Sequence, residues 1–338
     1  MNVKQTLVWP LTLPYGSAAR LRARAYEMGL LRAKGLEASV ISVGNLTVGG
    51  TGKTPMVIWI AQRLLAEGKK TGILTRGYRG TDGPDGPTSD EVDLMKFRLG
   101  DKVKFGVGAN RYRQGKRLVA EGVEWIVLDD GFQHMQLARD ANIVLIDAMN
   151  PFGGGRLLPA GFMREPKTAL HRADVIVITR SERAPAVEAS VRRETNAPIF
   201  YARPKLEYLQ AISGGSLSGI APTPQARPMK WFAFCGIGNP AAFVADLHGW
   251  NIDLVGHRFF RDHHRYTQAE IDDMAAEAQR LGGDGLLCTE KDSINLGDVK
   301  EFPIHVLYCH MEMQVDGGDE FWRTIETLVA ISKSKPKK

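Results

Sequence analysis

The sequence has 338 residues, 43% hydrophobic and 24% charged, a globular composition with room for two domains of ordinary size. Lys and Arg total 44 against 38 Asp and Glu, and the formal charge of +6 suits nucleic acid, an anionic membrane or a phosphorylated substrate without choosing among them. Three scattered cysteines (Cys235, Cys288, Cys309) exclude a disulfide scaffold or zinc cluster and read as reduced cytosolic thiols, and no apolar run reaches the roughly 18 residues of a spanning helix.

Residues 1–38 stand apart. They combine Leu7, Val8, Trp9, Leu11, Leu13 and Tyr15 with Arg20, Arg22, Arg24, Arg32 and Lys34. The apolar stretch 7–15 is short and carries Pro10 and Pro14, so it does not read as a secretory signal. From Ser17 the spacing predicts a basic amphipathic helix, with Leu21, Tyr26, Leu30 and Leu31 on one flank and arginines on another. Such a helix either packs on its own domain or lies in a membrane interface with its cations at anionic headgroups.

Strands are predicted at 38–43, 71–75, 124–128, 142–146 and 173–179, with helices at 53–67 and 110–121. Alternation of this kind implies a parallel sheet with helices on both faces. Residues 206–229, rich in Gly and Pro and without periodicity, read as a hinge or linker. Beyond it come a strand at 230–235, a helix at 239–249, a strand at 252–256, a helix at 267–281, strands at 285–289 and 303–308, and a helix at 318–332. Thr267 and Glu270 form a capping box for the 267–281 helix. The expected organisation is a P-loop domain over 39–205, a smaller second α/β domain over 230–332, and a frayed basic tail at 333–338.

The strongest chemical signal is Thr47-Val48-Gly49-Gly50-Thr51-Gly52-Lys53-Thr54, between a predicted strand and a predicted helix. Glycines let backbone N–H groups curl around phosphate oxygens, and the helix N-terminus adds a favourable field. Lys53 reaches β/γ-phosphates in such a loop, and the Thr54 hydroxyl ligates Mg²⁺. The pattern G-x-x-x-x-G-K-[ST] calls for glycine where Thr47 stands. An apolar strand ending in Asp129-Asp130 supplies the acid that a metal-bound phosphate needs.

The ordered motif set resembles the tetraacyldisaccharide 4′-kinases of lipid A synthesis over about residues 39–310. The blocks are Gly44-Asn45-Leu46 running into the P-loop and Pro55, Thr75-Arg76-Gly77-Tyr78, Ser89-Asp90-Glu91 and Asp129-Asp130-Gly131-Phe132-Gln133-His134. Then follow Phe152-Gly153-Gly154-Gly155-Arg156-Leu157-Leu158-Pro159-Ala160-Gly161, Arg164-Glu165-Pro166, Gly236-Ile237-Gly238-Asn239-Pro240, Asp262-His263-His264 and Thr289-Glu290-Lys291-Asp292. The resemblance implies ATP and Mg²⁺ as cofactors and transfer of the γ-phosphoryl group to the 4′-hydroxyl of an acylated glucosamine disaccharide 1-phosphate. It implies two α/β domains and a peripheral enzyme on the cytoplasmic face of a Gram-negative inner membrane, with residues 1–38 on the anionic surface. By the same resemblance Asp90 and His263 form the catalytic pair with Lys53. Glu165, Asp129 and Asp130 lie near the metal with Thr54, and Gln133, His134 and Arg164 line the substrate site. Departures from the family pattern are Val92 for a common Pro, Gly154 for Asn, and Phe162-Met163 for Pro-Leu.

Phosphoryl transfer is mostly positioning and charge stabilisation. A sugar hydroxyl needs an acceptor for its proton; a carboxylate such as Asp90 supplies one, and a histidine orients or shares it. Other readings remain beside this one: His263 and His264 as metal ligands, and Thr289–Asp292 either as a displaced guanine-reading loop or as a plain strand–helix turn. The rival function is a P-loop GTPase or nucleotide-dependent assembly factor. A nucleic-acid ATPase is disfavoured because the charge sits at the ends: residues 1–38 hold six basic and two acidic side chains, residues 331–338 hold four lysines, and the rest is net −2. No nucleic acid and no obligate protein partner are expected.

Overall fold

The computed structural model describes residues 12–77, 81–83, 86–212, 229–297 and 299–334; side-chain placements at 13, 15, 81–83 and 86–88 lie outside that description. The chain divides into two compact units. The first runs through Arg203 and resumes at Met313; the second spans Pro204–Glu312.

In the first unit the elements are α1 (Thr12–Glu27), β1 (Ser39–Asn45), α2 (Lys53–Ala66), β2 (Thr71–Thr75), a short hairpin of β3 (Thr81–Gly83) and β4 (Gly86–Thr88), and α3 (Asp90–Leu99). They continue with β5 (Lys104–Val107), α4 (Arg111–Ala120), β6 (Trp125–Asp129), β7 (Ala141–Asp147), β8 (Val175–Thr179), α5 (Pro185–Arg192) and the first part of β9 (Ile199–Ala211). The sheet order is β9-β8-β7-β1-β6-β2-β5, and each pairing given for these neighbours is parallel. Strands β1 and β7 are buried at every position. Their alternate residues serve opposite faces: Ile41, Val43, Ile143 and Leu145 pack beneath α2 and α3, while Val144 and Ile146 pack with Phe132, Leu170 and Ile176. Helix α2 holds its face with Met56, Ile60, Ala61 and Leu64, spaced at three and four residues. The predicted parallel sheet is therefore present.

In the second unit β10 (Lys230–Cys235), α6 (Pro240–Gly249), β11 (Asp253–Phe259), α7 (Gln268–Arg280), β12 (Gly285–Thr289), α8 (Glu290–Ile294) and β13 (His305–Val315) follow in order. The parallel order is β11-β10-β12-β13. The Thr267 capping box is present in full.

Several boundaries differ from expectation. The second domain does not reach residue 332, because β13 ends in the first unit and α9 (Gly318–Ser334) packs there. Phe321, Trp322, Ile325 and Val329 of α9 share a core with Ile41, Met56 and Ile60. Trp59 meets Phe321 with ring centroids 5.4 Å apart. An amphipathic helix goes where an apolar face awaits it, and sequence order did not reveal which sheet that was. Lys333 is not frayed: it is helical, and its Nζ donates to the carbonyls of Glu37 and Ala38 at 3.2 and 2.9 Å. Of the linker expected at 206–229, residues 206–211 are strand β9, and 213–228 lie outside the described residues, as do 335–338.

Within the described residues helix α1 already covers Thr12, ahead of the expected Ser17. It ends at Glu27, so Leu30 and Leu31 follow the helix rather than share its flank. Gly16 is buried where a Cβ would stand 2.7 Å from Leu157, so α1 docks on the first unit. Leu21, Met28, Leu30 and Leu31 nevertheless remain exposed, Leu21 at 72% and Leu30 at 73%. Among the described residues, no helix is long and apolar enough to cross a membrane.

Candidate functional site

Parallel strands of the first unit deliver Asn45, Thr75, Asp129, Asp147 and Thr179 at their C-terminal ends, the edge where open α/β sheets bind ligands. The P-loop leaves β1 there and opens α2. Gly49 (φ 120°) and Gly52 (φ 86°) take left-handed backbone, and Gly52 caps the helix with no side-chain hydrogen bond. The first N–H groups of α2 are thus available to an anion. Thr47 does not have positive φ; it makes an antiparallel bridge with Met163 and is buried. The glycine of the usual pattern is therefore not required at this position.

Side chains lock the loop from beneath. Asn45 Nδ2 donates to Thr51 Oγ1 at 2.9 Å, and Thr179 Oγ1 donates to the Thr51 carbonyl at 3.1 Å. Lys53 Nζ donates to Asn45 Oδ1 at 3.3 Å and lies 3.7 Å from Asp130. Arg164 grips both oxygens of Asp130, at 2.8 and 2.7 Å. Burial pulls the Asp130 carboxyl upward, but Lys53 and Arg164 outweigh it and hold it below the ordinary range. Asp130 is thus an ionised bridge between two cations, in left-handed backbone at φ 49°.

Asp129 contrasts with its neighbour. It is fully buried, and burial, with Glu91 and Asp130 nearby, pushes its carboxyl up to about 7. Thr75 donates to one oxygen at 3.0 Å, while the other, Oδ1, has no hydrogen-bond partner. Glu165 pairs with Arg172 at 2.6 Å and also keeps one buried oxygen, Oε1, without a partner. Orphaned buried acceptors are rare and costly. A divalent cation fits an oxygen of this kind, because Mg²⁺ takes hard oxygens from one or two carboxylates and fills its shell with phosphates and water. Among the described residues no three His, Cys, Asp or Glu side chains form a metal cage by themselves.

Gln133 Nε2 donates to the Asn45 carbonyl at 3.0 Å, fixing the turn after β6 against the P-loop strand. His134 is pushed down to about 4 by burial and by Arg111, Arg139 and Arg22, so its imidazole is neutral near pH 7. Asp90 opens α3 after Ser89, where the helix dipole favours a carboxylate. His263 lies in the second unit at φ 65°, its Nε2 3.5 Å from Asp262.

The structure adds residues that sequence reasoning passed over. Asn45 was quoted only as part of a block, yet it ties Lys53 to Thr51. Glu91 acts electrostatically on Asp129. Arg111 is buried at 6% exposure with its Nε unpartnered, and Asp130 and Asp129 act on its charge. A buried cation at the start of a helix resembles any basic surface residue in a sequence, so no signal marked it. Two residues named in the alternatives are engaged by the fold. His264 is held by Glu270 at 3.1 Å and stacked on Phe260, which makes it a packing residue. Asp292 is completely buried, and its oxygens accept from Gly236 N, Tyr266 Oη and Thr289 Oγ1, so neither oxygen is open to a base.

The family model for tetraacyldisaccharide-1-P 4′-kinase matches residues 4–330. The chain belongs to that family. The tetraacyldisaccharide 4′-kinase of Geobacter metallireducens is 40% identical over 307 residues, covering 86% of this chain and 88% of its own. That of Halothermothrix orenii is 36% identical, covering 86% and 83%. A crystal structure of the "apo" form of LpxK from Aquifex aeolicus in complex with ATP matches with a TM-score of 0.72 at 28% identity, over 97% of this chain and all of that one. Membership makes the chain a kinase rather than a GTPase switch.

Proposed function

We propose that this chain transfers the γ-phosphoryl group of ATP to the 4′-hydroxyl of a tetraacyldisaccharide 1-phosphate, at the cytoplasmic face of a membrane. The observation that carries the reading is the Lys53–Asp130–Arg164 chain over an uncapped helix N-terminus, beside a buried Asp129 oxygen with no partner. Residues 47–54 cradle the phosphates, and Lys53 offsets charge on the transferred group. Thr54, Asp129, Asp130 and Glu165 are the proposed metal-side residues, Asp130 acting through the cations it aligns. A Mg²⁺ ion held by these residues would neutralise charge on the phosphate oxygens. Gln133, His134 and Arg164 face the substrate; a neutral His134 can accept or donate a hydrogen bond without adding charge.

Asp90 takes the hydroxyl proton, and His263 orients or shares it. Asp90→Asn and His263→Ala are each expected to lower kcat by about 10²–10⁴. The test is incubation with Mg²⁺-ATP and the lipid in detergent, with the bisphosphorylated lipid as readout. No product where a relative works would end this reading.

The membrane half rests on Leu21, Met28, Leu30 and Leu31, exposed among Arg20, Arg22, Arg24 and Arg32. Cations near an anionic surface contribute about 1 kcal/mol each. Replacing Leu21, Leu30 and Leu31 by Glu is expected to release the protein from sedimenting vesicles of anionic phospholipid. Unchanged sedimentation would reject residues 1–38 as the anchor.

A further inference from the structure

The turn Thr289-Glu290-Lys291-Asp292 carries a buried carboxylate, Asp292, held by three donors. Asp292 Oδ1 accepts from the backbone N–H of Gly236 at 2.8 Å and from the Tyr266 hydroxyl at 2.8 Å, while Oδ2 accepts from Thr289 Oγ1. Those donors bracket the Asp262-His263-His264 turn. Gly236 accepts from the backbone N–H of His263 at 3.1 Å. A Cβ on Gly236 would stand 2.9 Å from the Arg261 carbonyl and 3.0 Å from His264 Cβ, so the turn rests directly on this glycine. Tyr266 closes the other side, its ring edge-on to His264 and Phe260. The neighbour of Asp292 completes the arrangement: Lys291 Nζ holds Asp262 Oδ1 at 3.0 Å, and Asp262 Oδ2 lies 3.5 Å from His263 Nε2. His263 itself sits in left-handed backbone, a conformation kept only where surroundings dictate it.

We propose that Lys291 and Asp292 are positioning residues for His263. Asp292 fixes the backbone of the turn through Gly236 and Tyr266. Lys291 fixes the Asp262 carboxylate, which in turn orients the imidazole and its N–H. This inference rests on the reading of His263 as a catalytic residue. A side chain held through a second layer of contacts is lost by small displacements, and outer partners of this kind typically cost 10–100-fold when removed.

The test uses the full chain with Mg²⁺-ATP and the lipid in detergent. Lys291→Met, at a partly exposed ion pair, is expected to lower kcat about tenfold with the KM for ATP within about twofold of wild type. Lys291→Arg is expected to restore most of the loss. In a His263→Ala background, Lys291→Met is expected to lower kcat by less than about twofold further, since there is no imidazole left to orient. Asp292→Asn is expected to show the same pattern; if it does not fold, Lys291→Met carries the test alone. Equal losses from Lys291→Met in both backgrounds, or wild-type kcat in Lys291→Met beside a crippled His263→Ala, overturn the inference by itself. Wild-type kcat in His263→Ala instead removes the reading on which it stands.

Discussion

Two buried aspartates define the contrast between the halves of this molecule. Asp129 in the first unit and Asp292 in the second both lie beside the C-terminal end of a parallel strand, and burial raises both carboxyls above their ordinary range. Asp292 has three donors on its two oxygens. Asp129 has one donor and an oxygen with none. A buried carboxylate with both oxygens engaged by internal donors is a strut. One with an unengaged oxygen still has an acceptor to offer a ligand. Burial alone does not separate the two roles, but the count of satisfied lone pairs does.

The largest effects should come from the unsaturated edge. Lys53→Ala removes the cation that joins the P-loop to Asp130, and leaves Asp130 to Arg164 alone. We expect kcat to fall by at least about 10³ if Lys53 is, as proposed, the cation that stabilises the transferring phosphoryl group. Melting temperature checks that the fold survives. If kcat fell less than tenfold, Lys53 would not be the phosphate ligand and the edge would lose its central residue.

Asp129 makes a prediction about stability that Asp292 sharpens. Its folded carboxyl titrates at about 7, against roughly 3.9 in an unfolded chain. Between these values the metal-free native state binds more protons than the unfolded state, so stability falls as pH rises through that window. Asp129→Asn should flatten the slope and make metal-free protein more stable than wild type at pH 8, by an amount on the order of a few kcal/mol. The same variant should raise the Mg²⁺ concentration needed for half-maximal activity by more than tenfold. Denaturant titrations from pH 4 to 8 measure the first effect; an unchanged slope would mean that Asp129 is already ionised and paired.

Much of this was legible in the sequence, for identifiable reasons. Strands β6, β7 and β8 each hold a four-residue apolar run, at 125–128, 143–146 and 175–178, a pattern that suits a sheet covered on both faces. The P-loop is legible because phosphate chemistry constrains consecutive residues. What escaped depends on contacts remote in sequence. Helix α9 has the same amphipathic pattern whichever sheet it covers, and its choice of the first unit follows from Trp59, Phe200 and Phe321 meeting there. Helix α3 was missed because Asp90-Glu91-Val92-Asp93 reads as a polar loop until Val92, Met95 and Leu99 find a core. Arg111 and Glu91 gain their significance from burial and from Asp129, neither of which a linear pattern contains.

A smaller effect probes the strut. Gly236→Ala places a methyl against the Arg261 carbonyl and His264 Cβ, where backbone must yield. We expect a loss of about 1–3 kcal/mol in unfolding free energy, typical of forced overpacking. Because the displaced turn carries His263, kcat should fall while the KM for ATP changes little. A variant as stable and as active as wild type would show that the turn tolerates movement, and would weaken the contrast between a rigid strut and an open edge.

The smallest expected effect is at Thr47, where the family of phosphate loops most often has glycine. Here the residue has no positive φ, is 6% exposed, and bridges Met163 while its neighbour Val48 donates to the Phe162 carbonyl at 2.8 Å. The loop is thus stitched to the 157–163 segment in extended backbone that any residue can adopt. Thr47→Gly should leave the KM for ATP within about twofold, because the left-handed turns belong to Gly49 and Gly52. It should cost about 0.5–1 kcal/mol of stability through the greater freedom of the unfolded glycine. A tighter KM for ATP in Thr47→Gly would mean that the threonine holds the loop away from its phosphate-bound form, and that this edge is not preformed.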